Sequence, residues 1–451
     1  MRFLLLLTII LGGCTDATIP KAFTNSFILT NVNIVNVLEQ RIQRDKTIVV
    51  KEGKITAIIN TNEDISYPNI KHIEGNGGFV TPGLIDMHVH MYEKAGYLFA
   101  LSHGVTHVRI MNGIPAHLKW REQVTSGQLI GSSSTVSSPI LSAYDDASLH
   151  HAIHTEKQAK EAIRKYKKAG YDLIKAYGNL NEETLSTLVA EGQRLNMPIA
   201  KHGPHASKNM KVQALSSFQS FEHVEDIFQG PLNYQFSSTK LPNIISELKT
   251  TGVPITPTLN IFAQLTKLSV QKEDYLAKTT PEYTSDIIKL EASHNQVKRW
   301  LSSSDTMAQH NEKTLSFLLH ITKELHQKNV PLLVGSDSGV LMSPHGLATH
   351  EEMRLLSKAG LPAFEVLKAA TINPAKAIRL ENELGQIAKS FQADFIFTSA
   401  NPIENLDILS EPLAVIKSGR WLSQQTLNAM REKAIDSRSI WQEIKVLFEA
   451  L

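Results

Sequence analysis

The sequence predicts an α/β protein that combines a (β/α)8 TIM barrel with a small β-sandwich domain built from both ends of the chain. In the middle of the chain, short apolar runs alternate with helical stretches, whereas both ends carry strand patterns without such helices. The candidate barrel strands are Gly83–His90, Val105–Met111, Ser134–Ile140, Leu173–Tyr177, Ile199–His202, Ser220–Val224, Val253–Thr258 and Pro331–Asp337. An open, doubly wound sheet is the alternative, but no Gly-rich phosphate turn follows the first strand.

The predicted β domain comprises residues 27–80 and 381–425. Apolar and polar residues alternate in Ile28–Val35 and Thr47–Lys51, and turn signals follow at Glu52-Gly53. The same pattern returns at Ala393–Thr398 and Leu413–Lys417. Because the two β-rich ends flank a different middle, we expect them to assemble into one domain.

The barrel is predicted to span residues 81–380. Helical spacing of apolar residues in Thr155–Lys168 and Glu182–Leu195 separates successive strands. Residues 259–327 form a helical insertion before the last strand, which is either a lid or a docking surface, and the lid is the favoured interpretation. Residues 426–451 are predicted to form a C-terminal helix.

The N-terminus has the layout of a secretory signal. A charged Arg2 precedes the apolar run Phe3–Leu11, which is too short to span a membrane. Leu11-Gly-Gly-Cys14 resembles a bacterial lipobox, which implies a signal peptide over residues 1–13, lipidation of Cys14 and a linker over residues 14–26. A plain signal peptide with an incidental Cys14 is the alternative.

The lipobox resemblance also implies a cellular location. The protein is expected in the bacterial cell envelope, attached to the membrane through lipid on Cys14, and Thr15 after this cysteine favours the outer membrane, facing the periplasm. Cys14 is the only cysteine of the chain, so no intramolecular disulfide can form and no other position can supply a thiolate metal ligand.

Composition places the chain among ordinary globular proteins. It has 451 residues, of which 42% are hydrophobic and 20% charged, which is enough for a sizeable buried core. The formal net charge is only +2, so no basic field indicates a nucleic-acid partner. A small-molecule substrate is therefore the expected partner, and self-association into a homo-oligomer stays open.

Potential metal ligands lie at the ends of the candidate strands. They are His88, His90, Lys175, His202, His223 and Asp337. The carboxyl ends of barrel strands meet at one face, and alternate strand residues point the same way, so His88 and His90 can enter one cavity. Imidazole and carboxylate suit Zn2+ and related ions. Lys175 is out of place unless it is modified, because an ammonium repels a cation; a carbamate formed with CO2 removes the contradiction.

Several motifs in order along the chain resemble those of the amidohydrolase superfamily. The metal motifs are Phe79–His90, Ile174–Tyr177, Pro198–His202, Phe221–His223 and Gly335–Asp337. The C-terminal run from Ala369-Ala-Thr-Ile-Asn-Pro to Ile416-Lys-Ser-Gly419 is similar to the imidazolonepropionase and prolidase-like branch. The resemblance covers nearly all of residues 27–425.

This resemblance implies a centre with two divalent ions, for which zinc is expected. His88 and His90 would bind the more buried ion together with Asp337, and His202 and His223 would bind the second. Each side chain also has an ordinary structural alternative: the histidines can be hydrogen-bonded core residues, and Asp337 can cap a turn.

The resemblance also implies roles for a lysine and an acid. Lys175, as the carbamate, would bridge the two ions, although single-metal members of the superfamily lack this bridge. Asp337 would act as general base, taking a proton from water and passing it to the leaving nitrogen.

Residues that contact the substrate are harder to predict. The candidates are Tyr177, His205, Tyr92, His345 and His350. Arg109 lies near a strand end and is a further candidate for gripping a carboxylate. The group His150, His151 and His154 follows the third strand and is interpreted as a solvated loop before a secondary metal site.

The leading functional hypothesis is a metal-dependent hydrolase of amide bonds, acting on a dipeptide as a prolidase does, or on an N-acyl amino acid. Opening or deamination of a cyclic amide or amidine, as in imidazolonepropionase, is the alternative among enzymes. A lipoprotein that keeps the barrel only for binding is a remote alternative, because such a protein should have lost some of the metal ligands.

Overall fold

The structure is a computed structural model that describes residues 25–63, 70–207 and 210–450. Its strands are β1 (Phe27–Asn36), β2 (Arg41–Lys51), β3 (Lys54–Asn60), β4 (Lys71–Pro82), β5 (Leu84–Val89), β6 (Val105–Ile110), β7 (Ser133–Ser142), β8 (His150–Ala152), β9 (Leu173–Ala176), β10 (Ile199–His202), β11 (Ser220–Glu222), β12 (Ile255–Thr256), β13 (Phe395–Thr398), β14 (Ala414–Lys417) and β15 (Arg420–Ser423). The signal-peptide, linker and Cys14 predictions lie outside the described residues, apart from the linker's last positions.

Helices connect most of the later strands. They are α1 (Ala95–Ser102), α2 (Pro115–Thr125), α3 (Glu156–Ala169), α4 (Glu182–Arg194), α5 (Glu225–Gln229), α6 (Leu241–Thr251), α7 (Leu259–Gln271), α8 (Glu273–Leu276), α9 (Asp286–His294), α10 (Gln296–Leu301), α11 (Asp305–Gln327), α12 (Leu347–Lys358), α13 (Ala363–Ala370), α14 (Ile372–Ala377), α15 (Gln424–Asp436) and α16 (Ile440–Phe448). Short 3-10 helices cover Val212–Leu215, Pro281–Tyr283 and Leu406–Ser410. Within the described part, none of these helices combines the length and apolar character that crossing a bilayer requires.

Strands from both chain ends form the predicted β domain as one continuous seven-stranded sheet. Its order is β15-β14-β13-β4-β1-β2-β3, so β13, the first of the three C-terminal strands, pairs with β4 from the N-terminal half. β1 and β4 are parallel, whereas the other pairs are antiparallel. Apolar side chains that alternate along these strands, such as Phe27, Leu29, Phe395 and Phe397, form a separate core.

Parallel strands form the barrel in the order β5-β6-β7-β9-β10-β11-β12. β8 pairs with β7 beside this path. The strands are almost fully buried because they face side chains of the barrel interior on one side and the outer helices on the other. The predicted fold class, a TIM barrel with a β-sandwich domain, is confirmed.

The last barrel segment is irregular, where the sequence predicted a strand over Pro331–Asp337. It still closes the barrel: its backbone bonds to β12 through the Leu333 amide and Ile255 oxygen (2.9 Å) and to β5 through the Asp337 amide and His88 oxygen (2.8 Å). It is not a regular strand because the amide of Val334 bonds to Ala369, at 2.7 Å, instead of to a neighbouring strand.

The segment before this closure contains the predicted insertion. Helices α7 to α11 fill residues 259–327, and the long α11 packs against α7. In α11, buried Phe317, Leu318, Ile321 and Leu325 recur at helical spacing, as the sequence pattern indicated.

Two helices follow the last strand, where the sequence predicted one. The helix is interrupted at Ser437–Ser439, between α15 and α16. This interruption places Arg438 against the insertion and the β5–α1 loop. Its guanidinium bonds to Glu93 at 2.8 Å and to the backbone oxygen of Tyr283 at 2.6 Å. These long-range contacts hold Arg438 between the two helices.

Candidate metal centre

Three of the predicted ligands lie together at the closure of the barrel. His88 and His90 come from the end of β5, and Asp337 ends the irregular last segment. The Nε2 atoms of His88 and His90 are 3.5 and 3.0 Å from Asp337 Oδ1. One possible ligand atom from each of the three residues lies within 4.8 Å of the others. This spacing allows all three to hold a single ion.

The other two histidines continue the same group of side chains. The ring of His223, which follows β11, lies 4.8 Å from the ring of His88 and 4.4 Å from that of His202 at the end of β10. His223 Nδ1 is 4.0 Å from Asp337 Oδ2 and 2.7 Å from the hydroxyl of Thr258. The structure therefore brings the four predicted histidines and the aspartate to one barrel mouth.

Lys175 reaches the centre from β9. Its Nζ is buried and has no hydrogen-bond partner among the described residues. Burial lowers the pKa of Lys175 to about 8, against the opposing attraction of Glu222 and Asp337. An amine held this way is partly neutral near physiological pH, which is the form that reacts with CO2. The unpartnered Nζ thus fits a modified lysine. A carbamate at this nitrogen could bind metal ions, whereas the unmodified amine has no partner in the described part of the chain.

Protonation states at the centre suit a divalent cation. Burial lowers the pKa of His88 to about 4 and that of His223 to about 3, so both imidazoles are neutral near pH 7. Burial opposes ionisation of Asp337, but His88 and His90 hold the pKa of its carboxyl well below its usual range. Neutral imidazoles with an ionised carboxylate are the donor set that Zn2+ and similar ions prefer, so these residues fit such an ion.

A buried ion pair that the sequence interpretation missed supports His88. Glu222, the residue before His223, accepts a hydrogen bond from His88 Nδ1 at 2.8 Å and pairs with Arg109 at 2.7 Å. Burial opposes ionisation of Glu222, but Arg109 and His88 hold the pKa of its carboxyl well below its usual range. The one available signal was position: Glu222 adjoins a predicted ligand and ends a strand.

Arg109 does not face the substrate side, where the sequence interpretation had placed it. The side chain is completely buried, and its Nε donates to the backbone oxygen of Met87 at 2.7 Å. Its Nη1 donates to Ser220 at 2.8 Å and to Gln219 at 2.9 Å. With all of these partners inside the barrel, Arg109 is not free to grip a substrate carboxylate.

Asp226 is a second acid at the centre that the sequence interpretation missed. Its Oδ2 lies 3.1 Å from His202 Nε2 and has no hydrogen-bond partner among the described residues. Burial raises the pKa of Asp226 to about 6, and the nearby Lys201 and Lys175 oppose that rise. Its position three residues after His223 was the only sequence signal.

Tyr177 and Tyr92, two of the predicted substrate contacts, lie near the candidate ligands. The ring of Tyr177 stacks on that of His202, with the centroids 4.1 Å apart and the planes inclined by 27°. Burial raises the pKa of Tyr177 to about 12, and Asp226 adds to this. Burial also raises the pKa of Tyr92 to about 12, with the Asp337 carboxylate as a further cause. Both hydroxyls therefore stay protonated and can donate hydrogen bonds.

The three remaining substrate candidates differ in their surroundings. His205 packs against Gly178 and Gly203, and its Nδ1 has no hydrogen-bond partner among the described residues. His345 is buried behind the centre, with Nδ1 2.8 Å from the hydroxyl of Ser338. His350 is not brought to the mouth, since it is buried with Nε2 2.8 Å from the backbone oxygen of His103.

The histidines after β7 do not share a centre. His150 Nδ1 lies 3.0 Å from the Ser142 hydroxyl, and His151 Nδ1 lies 2.8 Å from the Tyr166 hydroxyl. His154 instead pairs with Asp145 at 2.8 Å. Each imidazole has its own partner, so the structure gives no support to a secondary metal site here.

Comparisons with known proteins extend over most of the chain. The sequence model of the amidohydrolase family matches residues 79–422. Imidazolonepropionase from Idiomarina loihiensis is 22% identical over 401 residues, which cover 84% of this chain and 92% of that protein. Imidazolonepropionase from Kosmotoga olearia is 22% identical over 419 residues, covering 85% and 92%.

Solved structures share the fold. A bottromycin amidohydrolase superposes with a TM-score of 0.76 at 18% identity, covering 92% of this chain and 91% of that one. A Xaa-Pro dipeptidase with methionine bound in its active site superposes with a TM-score of 0.68 at 19% identity, covering 88% and 100%. Because these sequence identities are below 20%, the likeness concerns the fold alone, which is the arrangement of the barrel and the β domain.

Proposed function

This chain belongs to the amidohydrolase family and is a hydrolase of carbon–nitrogen bonds, and we propose that its substrate is a dipeptide, cleaved as by a prolidase, or an N-acyl amino acid. The observation that carries the proposal is the convergence of predicted ligands at one barrel mouth: His88, His90 and Asp337 have ligand atoms within 4.8 Å of one another. Tyr177, stacked on His202 beside them, offers a protonated hydroxyl to a substrate carbonyl.

We propose that two divalent ions, expected to be zinc, would complete this site. His88, His90 and Asp337 would hold one ion, and His202 and His223 the other. When bound, such ions lower the pKa of water to about 7 and polarise a carbonyl group. Lys175, as a carbamate, would supply a negative charge between the two sets of histidines.

The chain's own residues handle the proton. Asp337 is ionised near neutral pH, so its carboxylate can accept a proton from the attacking water and return it to the leaving nitrogen. The phenol of Tyr177 stays protonated and can donate to the oxygen that gains charge in the tetrahedral intermediate. The buried flanks formed by β5 and the last segment limit the access of bulk water to Asp337.

A panel of substrates tests this proposal. The purified protein, loaded with Zn2+, should release amino acids from Xaa-Pro dipeptides or N-acyl amino acids, as detected by ninhydrin or mass spectrometry. Failure to cleave any of these substrates, with metal bound, would overturn the proposed substrate class. Purified protein that holds no metal after growth in zinc would instead favour the non-catalytic binding lipoprotein.

A cyclic amide or amidine is the second candidate substrate. It is favoured by the two imidazolonepropionases whose likeness covers 92% of their own length. The same panel should therefore include lactams and imidazolones, and turnover of these alone would select this alternative. Shape and charge of the loops decide between such substrates, since the metal chemistry is shared.

Attachment to the bacterial envelope through Cys14 is a separate proposal, supported by the lipobox-like sequence Leu11-Gly-Gly-Cys14. The full-length protein expressed in a bacterium should fractionate with membranes, and Cys14→Ala should move it to the soluble fraction. Equal partition of the two proteins would rule out a lipid anchor at this residue.

A further inference from the structure

An enclosed pair of charges lies directly beneath the metal centre. Glu222 and Arg109 are both 0% exposed, although few ionised side chains are fully buried in proteins. Glu222 Oε2 is 2.8 Å from His88 Nδ1, and its Oε1 accepts hydrogen bonds from Arg109, at 2.7 Å, and from the hydroxyl of Ser220. Every polar atom of the carboxylate therefore has a partner, and one partner is a predicted metal ligand.

The chemistry of these partners decides which nitrogen of His88 carries the proton. An ionised carboxylate only accepts hydrogen bonds and a guanidinium only donates them. Since Arg109 occupies Oε1, Oε2 is left to accept from Nδ1, so the proton lies on Nδ1. The lone pair then lies on Nε2, which is the atom 3.5 Å from Asp337. The orientation of Glu222 thus determines that His88 offers a free nitrogen to the centre.

We propose that Glu222 and Arg109 are positioning residues that hold His88 in the tautomer with a proton on Nδ1 and a free Nε2. Arg109 fixes the carboxylate by bonding at once to Glu222, Ser220 and the backbone of β5 at Met87. This inference rests on the proposed metal site. It adds that the affinity of the site depends on a pair of residues that do not themselves contact an ion or the substrate.

An amide in place of the carboxylate separates this role from simple packing. In Glu222→Gln, the donors of Arg109 attract the amide oxygen, so the NH2 group turns towards His88 Nδ1. The imidazole must then accept there and carry its proton on Nε2, which blocks the ligand atom. The volume of the side chain is unchanged. A contribution limited to packing would therefore leave metal affinity nearly intact.

Removal of Arg109 as well should restore binding. In Glu222→Gln with Arg109→Met, no guanidinium constrains the amide, and the backbone oxygen of Met87 loses its donor. The Ser220 hydroxyl, which no longer accepts from Arg109, can then accept from the NH2 group, and the amide oxygen can again accept from His88 Nδ1. Recovery in the double variant would be hard to explain by packing, since this variant has lost more native contacts than the single one.

The experiment measures Zn2+ affinity by competition with a chromogenic chelator and metal content by mass spectrometry, with urea unfolding to check that each protein is folded. Glu222→Gln should weaken binding roughly 10- to 100-fold, the usual effect of losing the partner of a metal-bound histidine. The double variant should regain most of that loss. Glu352→Gln, an equally buried glutamate that bonds to the Asn260 amide, serves as the matched control and should bind like the wild type.

The outcomes distinguish the two proposals. Wild-type protein that binds no Zn2+ would overturn the proposed metal-dependent function and this inference with it. If the wild type binds Zn2+ and Glu222→Gln binds equally well, the metal site stands and the positioning role is wrong. The positioning role is equally wrong if the double variant binds no better than Glu222→Gln.

Discussion

Asp337 has an unusual backbone conformation, and neighbouring residues hold its charged side chain in place. Its φ of 52° lies in the left-handed region, which aspartate tolerates better than most residues. Its amide bonds to His88 and its carboxylate lies 3.0 Å from His90 Nε2. Backbone and side chain are thus both tied to the end of β5, which keeps the carboxylate where the proposed general base would act.

Replacement of Asp337 by Asn tests the role as general base. The amide keeps the shape and an oxygen that can remain a ligand, but it cannot accept the proton of water. We expect turnover to fall by roughly 10²- to 10⁴-fold, while metal content measured by mass spectrometry stays largely unchanged. His350→Gln, on a buried residue that bonds to His103 instead, should keep its activity. Undiminished turnover in Asp337→Asn would remove this residue from the mechanism.

Lys175 and Lys201 are both buried lysines, but only Lys201 has partners, the backbone oxygens of His202 and Gly203 at 3.1 and 3.0 Å. Lys175→Ala should weaken metal binding at least as much as the roughly 10- to 100-fold typical of losing a ligand's partner. Millimolar acetate or propionate should restore part of the activity by replacing the carbamate.

The matched control is Lys201→Ala, whose activity short carboxylates should leave unchanged. If carboxylates fail to restore Lys175→Ala, or restore both variants equally, the carbamate is the wrong explanation for the unpartnered amine.

At the scale of single helices and strands, the local sequence pattern predicted the elements whose structure depends on residues close by in the chain. β10 was predicted over Ile199–His202 and has these bounds, because a short apolar run between turn residues suffices to define a buried strand. The last barrel segment was predicted as a strand but is irregular, since the amide of Val334 bonds to Ala369 and that of Ser336 bonds to the side chain of Asp86, 250 residues earlier in the chain. Contacts between residues so far apart in the chain leave no signal in the local sequence pattern.

The same distinction applies to the centre. The candidate ligands could be proposed from the sequence because each ends an apolar run and because the ordered motifs resemble a known superfamily. The bond between Glu222 and His88 joins residues 134 positions apart, and Arg109 reaches them from a third strand. Their side chains meet only through the closure of the barrel, so a single sequence gives no measure of that proximity.

Helix α16 is tied to the insertion by one buried acid. The carboxylate of Glu443 accepts hydrogen bonds from the amides of Asp286 and Ile287, at 3.1 and 2.8 Å, in the first turn of α9. A negative charge at this position satisfies free amides and complements the helix dipole. Helix α16 thus holds the first turn of α9 within the insertion.

Loss of this carboxylate should loosen α9 locally. We expect Glu443→Ala to increase hydrogen exchange over residues 286–294 by an amount equivalent to roughly 1–3 kcal/mol. The matched control is Glu449→Ala, at the C-terminal cap of the same helix, because Glu449 is exposed and its ion-pair partner is Lys445, 3.9 Å away. Equal exchange of α9 in the two variants would show that Glu443 does not hold the insertion.

At the scale of the whole molecule, buried neutral histidines outside the proposed ligand set link stability to pH. Burial lowers the pKa of these histidines from 6.5 to about 3 or 4: they are His103, His107, His117, His345 and His350. Above pH 6.5 the folded and unfolded states are both neutral at these positions. Below it the unfolded chain binds protons that the folded protein excludes, so stability falls as the pH falls towards 4.

The expected size of this effect makes it measurable. Between pH 6.5 and pH 5, each such histidine removes roughly 1.5 kcal/mol, because the slope reaches about 1.4 kcal/mol per pH unit only once the unfolded imidazole is fully protonated, and at pH 6.5 it is half protonated. Urea unfolding in EDTA, which keeps metal binding out of the comparison, should therefore show a steep loss of the free energy of unfolding over this range. His107→Gln should reduce the slope by about one proton, because His107 Nδ1 is buried without a partner among the described residues and its loss removes one such site. A free energy of unfolding that stays level from pH 7 to pH 5 would mean that these imidazoles become protonated in the folded state. We do not expect this, because their enclosure within the barrel and its helices makes a buried charge costly.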